Sequence, residues 1–235
     1  MKLKSLKIAL FIALTGIVST SCVEEVLQSN GDLTSDEIIG GLKQALTIGT
    51  DSTVKQLNFT DGYLKNQAIK VIFPKEAQTI QDVVGALPGG QAIVDEFVVK
   101  MNRAAEDAAK EAKPIFVNAV TSMTINDGLG ILQGGDTAAT HYLREKTFNS
   151  LMGLYRPKIE NSMNAVGAQD AWKTLSDTYN KVPFVKPVNT DISAYVTGRA
   201  LSGLFVIVGE KERDIRKDPF KRVTDLLKKV FAKAK

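Results

Sequence analysis

An apolar stripe between Ile93 and Ala112 restricts the fold of this chain more than any other feature. Ile93, Val94, Phe97, Val98, Met101, Ala105, Ala108 and Ala112 recur every third or fourth residue, which keeps them on one side of a helix; a half-buried strand would need strict alternation. Glu96/Lys100 and Glu106/Lys110 stand at the i, i+4 spacing of helix-surface pairs, and Arg103 and Glu106 fall opposite the stripe, on the face expected to meet solvent. No alternating run longer than four residues occurs anywhere in the 235, and no internal repeat is visible. The chain is therefore read as all-α.

The remaining segments extend this pattern. Ser35, followed by Asp36 and Glu37, starts a helix carrying Ile38, Ile39, Leu42, Ala45 and Leu46, which Gly49 is expected to end; a short helix from Asp51 to Leu57 and another over residues 63–72 should follow, before Pro74. Pro114 opens the next helix. The Gly-rich stretch 127–135 leads to Asp136, read as the cap of a long helix through Tyr155 that Pro157 should kink or divide. A helix around Trp172 precedes an extended connection through Pro183 and Pro187, which ends at the cap Asp191. Residues 200–208 are apolar on every side except Ser202, the mark of a helix enclosed by its neighbours. Asp218-Pro219 then starts a final helix with Phe220, Val223, Leu227 and Val230 on one face and Lys221, Arg222, Lys228, Lys229 and Lys233 on the others. The expected architecture is a single multi-helix domain over 35–235, with a central buried helix at about 191–217 and a basic amphipathic C-terminal helix.

Residues 1–21 have a different character. Lys2, Lys4 and Lys7 precede an apolar run of 11 residues from Ile8 to Val18, and Ser19, Thr20 and Ser21 stand before Cys22. A helix crossing a bilayer needs about 20 apolar residues, so this layout fits a cleaved export signal better than a membrane span. The sole cysteine at the cleavage point resembles the signal of a bacterial lipoprotein, in which Cys22 is lipidated and becomes the mature N-terminus. The pattern departs from the usual one in having Ser19 where leucine is typical. The other reading is a plain signal cut near Ser21 that leaves a free thiol. Multiple acyl chains hold a protein firmly where one binds marginally, and residues 22–34 suit a flexible tether. Export would place the domain in the cell envelope, facing the periplasm or on the outer membrane.

Composition narrows the chemistry. The chain has 24% charged and 44% hydrophobic residues, as globular proteins do. One cysteine and one histidine exclude an internal disulfide and the usual zinc ligand sets. The net charge of +4 falls to +1 once the signal's three lysines are removed, and residues 209–235 hold ten basic and five acidic residues, leaving −4 on 22–208. Nucleic-acid binding wants a basic groove interleaved with aromatics, and this tail offers only Phe220 and Phe231. The basic last helix suits either an anionic membrane surface or docking on the domain.

No motif carries an evident reaction or implies a cofactor or metal. Gly130 and Gly135 have a phosphate-loop gap, but Asp136 stands where lysine is required and no strand precedes. Polar residues on apolar faces are more informative. Arg199 shares a face with Ile192, Tyr195, Val196 and Gly203, to which Glu210 returns; Arg144 shares one with Phe148, Leu151 and Tyr155, with His141 beside it. A buried charge must be paired or bind something. Either His141, Arg144, Tyr195, Arg199 and Glu210 line one polar pocket for an anionic ligand, or they form separate ion pairs with acids such as Asp127 or Glu145 that fix helix packing.

Several blocks occur in an order that resembles a known family: Gly41 to Leu46, Phe73-Pro74, Met101 to Glu106, Pro114 to Phe116, residues 123–144 including Tyr142 and Arg144, Tyr195 to Thr197, and Gly203 through Arg216. They are similar to the bacterial exported proteins grouped as domain of unknown function 4197. The resemblance implies a helical exported domain, often a lipoprotein, with no assigned activity and no site residues to carry over. The function expected is a lipid-anchored binding or interaction module that engages an envelope protein partner or an anionic ligand. The alternative is an enzyme or carrier for an anionic small molecule or lipid head group.

Overall fold

A computed structural model describes residues 34–186 and 191–232; the signal segment, Cys22 and all but the last residue of the tether lie outside this range. Nine α-helices occur among the described residues, and no strand: α1 Ser35–Asn58, α2 Gln78–Gly85, α3 Gly90–Ala108, α4 Ala112–Thr121, α5 Ile125–Gln133, α6 Ala138–Ala165, α7 Ala168–Asn180, α8 Ile192–Lys217 and α9 Asp225–Ala232. The all-α expectation holds; the apolar stripe runs along α3 to Ala108 and, past a 3-10 turn at Ala109–Glu111, ends at Ala112, the first residue of α4.

The central helix is where the apolar run placed it. Along α8, Val196, Ala200, Leu201, Leu204 and Ile207 have no exposed surface, and the helix packs most extensively against α6 and α1. It is long and apolar enough to cross a membrane, with a mean hydropathy of 1.5, but 67% of that window is buried inside the domain. Its apolarity is that of a core element. Phe97 of α3 stacks on Trp172 of α7 at 5.3 Å and meets Phe73 edge-on at 5.2 Å, extending the same core outward.

Several helix boundaries depart from expectation, each for a packing reason. The first helix starts at a capping box in which Thr34 accepts from the Glu37 backbone N–H, and it runs 24 residues without ending at Gly49. Glycine serves close approach there: a Cβ at Gly41 would lie 2.6 Å from Val230 of α9, and one at Gly49 would touch Lys211 of α8 at 3.8 Å. The Gly-rich segment near 128 is likewise helical, because a Cβ at Gly128 would strike Ile39 of α1 at 2.1 Å. Pro157 neither breaks nor divides α6. Its missing N–H lies on the exposed side, while Leu151, Tyr155 and Ile159 on either side of it are wholly buried.

The expected helix over 63–72 does not form. Residues 59–74 make a chain of turns bound to α3 and α8, since side chains from elsewhere satisfy the backbone groups a helix would have paired. Glu106 accepts from the backbone N–H groups of Tyr63 and Leu64, both at 3.1 Å. Asn102 accepts from Val71 N–H at 2.9 Å and donates to Val71 O at 2.8 Å. Tyr63 donates its hydroxyl to Ala200 O at 2.8 Å. Glu106 is consequently buried at 4% exposure and paired with Arg103, which also reaches Asp61 at 2.7 Å. The face read as solvated is covered by this segment, and Lys110 pairs with Asp107, not Glu106.

Asp51 ties α1 to α4 through Lys113 and also pairs with Lys55. These two hydrogen bonds, Lys113 first, hold its carboxyl at about 2. A depressed native pKa stabilises the fold above the unfolded value near 4 and loses that contribution as pH falls through the native value. The melting-temperature gap between wild type and Asp51→Asn should therefore be constant above about pH 5, shrink as pH falls, and close only below about pH 2, as thermal scans against pH would show. Leu33–Lys235 forms one compact unit by contact density, and one hydrophobic core runs through its described residues. Expressed without the preceding residues, it should give a helical circular-dichroism spectrum and a single cooperative unfolding transition.

Candidate functional site

The most elaborate charged arrangement is interior. Glu212 and Arg216, one turn apart on α8, pair at 2.9 Å with side chains only 7% and 5% exposed. Glu212 also accepts from the backbone N–H groups of Ala139 at 2.9 Å and Thr140 at 2.8 Å, and from the Thr140 hydroxyl at 2.7 Å. These groups begin α6, whose own N-cap, Thr137, supplies no side-chain hydrogen bond. A carboxylate from a distant helix does that work, at the end where the helix dipole favours negative charge. Arg216 donates to Ile131 O at 2.8 Å near the C-terminal end of α5, where positive charge is favoured. Asp136, read from sequence as the cap of this helix, instead pairs with Lys217 at the surface.

A cavity of about 20 Å³ lies against this pair, lined by Leu42, Leu46, Val208, Ile215 and Phe231 among others. That volume admits nothing larger than a water molecule. The pair is a clamp on two helix ends and not a ligand site. Breaking a buried pair typically costs about 3–5 kcal/mol, so Glu212→Ala should lower unfolding free energy by roughly that amount in urea titration, with the largest gain in amide exchange at the start of α6.

The open site is a groove of about 610 Å³ between α4 and α6, closed at one end by the start of α5. Ile115, Ala119 and Leu154 supply its apolar surface, and Asn118, Ser122, Tyr142, Lys146 and Ser150 its polar surface. One corner of it is a second capping box: Asp127 accepts from Thr124 N–H at 2.9 Å and from the Thr124 hydroxyl at 2.7 Å, and takes a longer bond from Tyr142 Oη at 3.3 Å. Those bonds, Thr124's above all, hold the Asp127 carboxyl below the ordinary range, while partial burial and then the neighbouring Asp127 charge raise the Tyr142 phenol. Lys146 lies 5.8 Å from the Tyr142 ring centre. A second, shallower depression holding His141 and Glu145 shares Asp127 and Tyr142 as its wall. The arrangement can hydrogen-bond and cover a partially apolar ligand. Among the described residues no three His, Cys, Asp or Glu side chains converge as metal ligands.

The five residues singled out from sequence lie in different surroundings. His141 is exposed on the wall of the shallower depression. Arg144 is exposed, and its guanidinium lies over the rings of Phe148 at 5.4 Å and Phe205 at 5.5 Å. Tyr195 donates its hydroxyl to Ile72 O at 2.8 Å, helping to hold the 59–74 segment. Arg199 is half-buried, with its Nε enclosed and lacking a hydrogen-bond partner, and Glu210 is half-buried farther along α8. No hydrogen bond or ion pair joins His141, Arg144, Arg199 and Glu210 among the described residues.

Sequence reasoning passed over Glu212, Arg216 and Asn102, and it placed Glu106 on a solvated face. For Glu212 a signal existed: it interrupts the helical series Leu201, Leu204, Phe205, Val208, Ile215 at a position where an apolar residue belongs. For Glu106 and Asn102 there was none, because their burial depends on where residues 59–74 fold back.

Family comparison agrees with the ordered blocks. No curated protein and no solved structure matches the chain. A family model described as "Protein of unknown function (DUF4197)" matches residues 32–232, nearly the whole helical domain. The chain therefore belongs to the DUF4197 family.

Proposed function

We propose that this protein is a lipid-anchored, extracytoplasmic helical module that binds a partner in the cell envelope and performs no chemistry of its own. The observation that carries the binding role is the α4–α6 groove. Its volume falls in the range of ligand pockets, and its lining alternates apolar surface with amide, hydroxyl and ammonium groups. The buried charged residues support this division of labour, since Glu106, Glu212 and Arg216 hold backbone groups of the fold. The anchor rests on Cys22 behind its apolar run, and the family match starts ten residues farther on, at residue 32.

Metabolic labelling with an alkyne fatty acid tests the anchor: wild-type protein should carry label in the membrane fraction, and Cys22→Ser should carry none. A photo-crosslinking residue at Ser150, inside the groove, tests binding in intact cells. A discrete adduct from that position, absent when the probe is moved to the exposed Lys173, supports the reading; identical patterns from both overturn it.

A second reading, an enzyme or carrier for an anionic small molecule or lipid head group, has one observation in its favour. Arg144 holds an exposed guanidinium over two rings without a carboxylate partner among the described residues. Native mass spectrometry of the exported protein decides it: a discrete added mass lost in Arg144→Ala favours the carrier, and a bare mass in both excludes it.

A further inference from the structure

The corner formed by the α8–α9 connection inverts the usual rule for a surface turn. Phe220 is 94% and Val223 66% exposed, whereas the polar side chains of Asp218 and Arg222 turn back onto the backbone. Asp218 accepts from Phe220 N–H at 2.9 Å, closing a 3-10 turn over Pro219–Lys221. Arg222 donates to Ile215 O at 3.0 Å and Arg216 O at 2.7 Å, capping the last carbonyls of α8. The turn is thus braced by its own polar residues in the position that puts an aromatic ring into solvent.

The face read from sequence as one continuous stripe is divided here. Leu227, Val230 and Phe231 dock into the domain, while Phe220 and Val223 do not. Lys221 and Lys229 are exposed and form no direct ion pair among the described residues, although Lys229 lies within electrostatic reach of Glu37 and Asp225. The described residues of this stretch, 209–232, hold eight basic and five acidic residues, net +3.

This corner leads into α9, which lies beside the first turns of the described domain. Thr224 donates to Gln44 at 2.7 Å, Leu226 lies 3.7 Å from where a Gly40 Cβ would stand, and α9 packs along the first turns of α1. That helix begins at Ser35, directly after the cap Thr34, which is twelve residues from Cys22. A fully extended tether of that length reaches about 40 Å. An anchored N-terminus therefore limits how far this end of the molecule can stand from lipid.

We propose that the Phe220–Val223 corner, flanked by Lys221 and Lys229, docks on the surface of an anionic bilayer, the ring entering the headgroup boundary and the ammonium groups facing lipid phosphates. This deepens the anchored-module reading by orienting the domain, with the α8–α9 corner toward the membrane. It does not require the anchor to bind, because the contact comes from the folded domain itself.

Co-sedimentation of the Leu33–Lys235 fragment with vesicles tests it independently of Cys22. The fragment should bind phosphatidylglycerol/phosphatidylcholine vesicles and leave pure phosphatidylcholine vesicles bare, with binding weakened by added salt. Phe220→Ala should lower partitioning about tenfold, and Lys221→Ala and Lys229→Ala about fivefold each. All three side chains face solvent, so the variants should keep the wild-type circular-dichroism spectrum. Phe59→Ala, which removes a 77% exposed ring from the far end of α1, should bind as wild type. Failure to bind anionic vesicles overturns the proposal. So does binding that Phe220→Ala leaves unchanged, or that Phe59→Ala reduces equally. Loss of lipid label in the Cys22 experiment would remove the anchor while leaving this result standing.

Discussion

The Glu212–Arg216 pair on α8 is the contact on which the arrangement of helices depends. One residue closes the open N-terminus of α6 and the other meets a carbonyl near the C-terminal end of α5, so a single turn of α8 fixes both sides of the connection at residues 134–137. The signs are those the helix dipoles require: carboxylate against N–H groups, guanidinium against a carbonyl. A buried charge pair is costly to form, and it is tolerated here because Glu212 is supplied with four donors. Phe231 lies over the same guanidinium at 5.6 Å, which brings α9 to the clamp as well.

A second set of polar contacts performs the same task at the other end of the molecule. Asn102 and Glu106 on α3, with Tyr63 and Tyr195 reaching between the segment and α8, bind a stretch of turns that has no regular structure of its own. The blocks 101–106, 195–197 and 203–216, which resembled a known family, contain all of these fold-holding residues except Tyr63. Their chemistry is that of backbone satisfaction, so catalysis is not needed to explain them. Open surface lies instead in the α4–α6 groove and at the α8–α9 corner.

Much of this was legible from the residues. The stripe of α3, the all-round apolarity of α8, the Trp172 helix and the cap at Asp191 follow from local periodicity and capping, and each is in place. Glycine and proline misled. Gly49 and Gly128 read as helix ends or turns, yet they allow α1 to approach α8 and α5; Pro157 read as a kink or a division, yet it does not divide α6 and its lost N–H faces solvent. Both residue types have a local and a tertiary meaning that look the same in one dimension. The candidate pocket was proposed from helical faces. Those faces correctly placed Arg144 beside aromatic surface, but which helices confront one another is not contained in any single face.

The sequence by itself determined the helical class, the identity of the central helix, the uneven charge and the family, because each is a property of neighbouring residues or of their order. Tertiary structure alone decided that residues 59–74 fold back over α3, burying Glu106, and that Glu212 serves as the missing cap of α6. It also decided that the last apolar stripe divides, with Val230 against Gly41 and Phe220 left in solvent. The physical reason is common to all three. Burial and hydrogen-bond satisfaction are set by groups dozens of residues away, such as Glu212 and the backbone of Ala139, and no local pattern records which distant group will arrive.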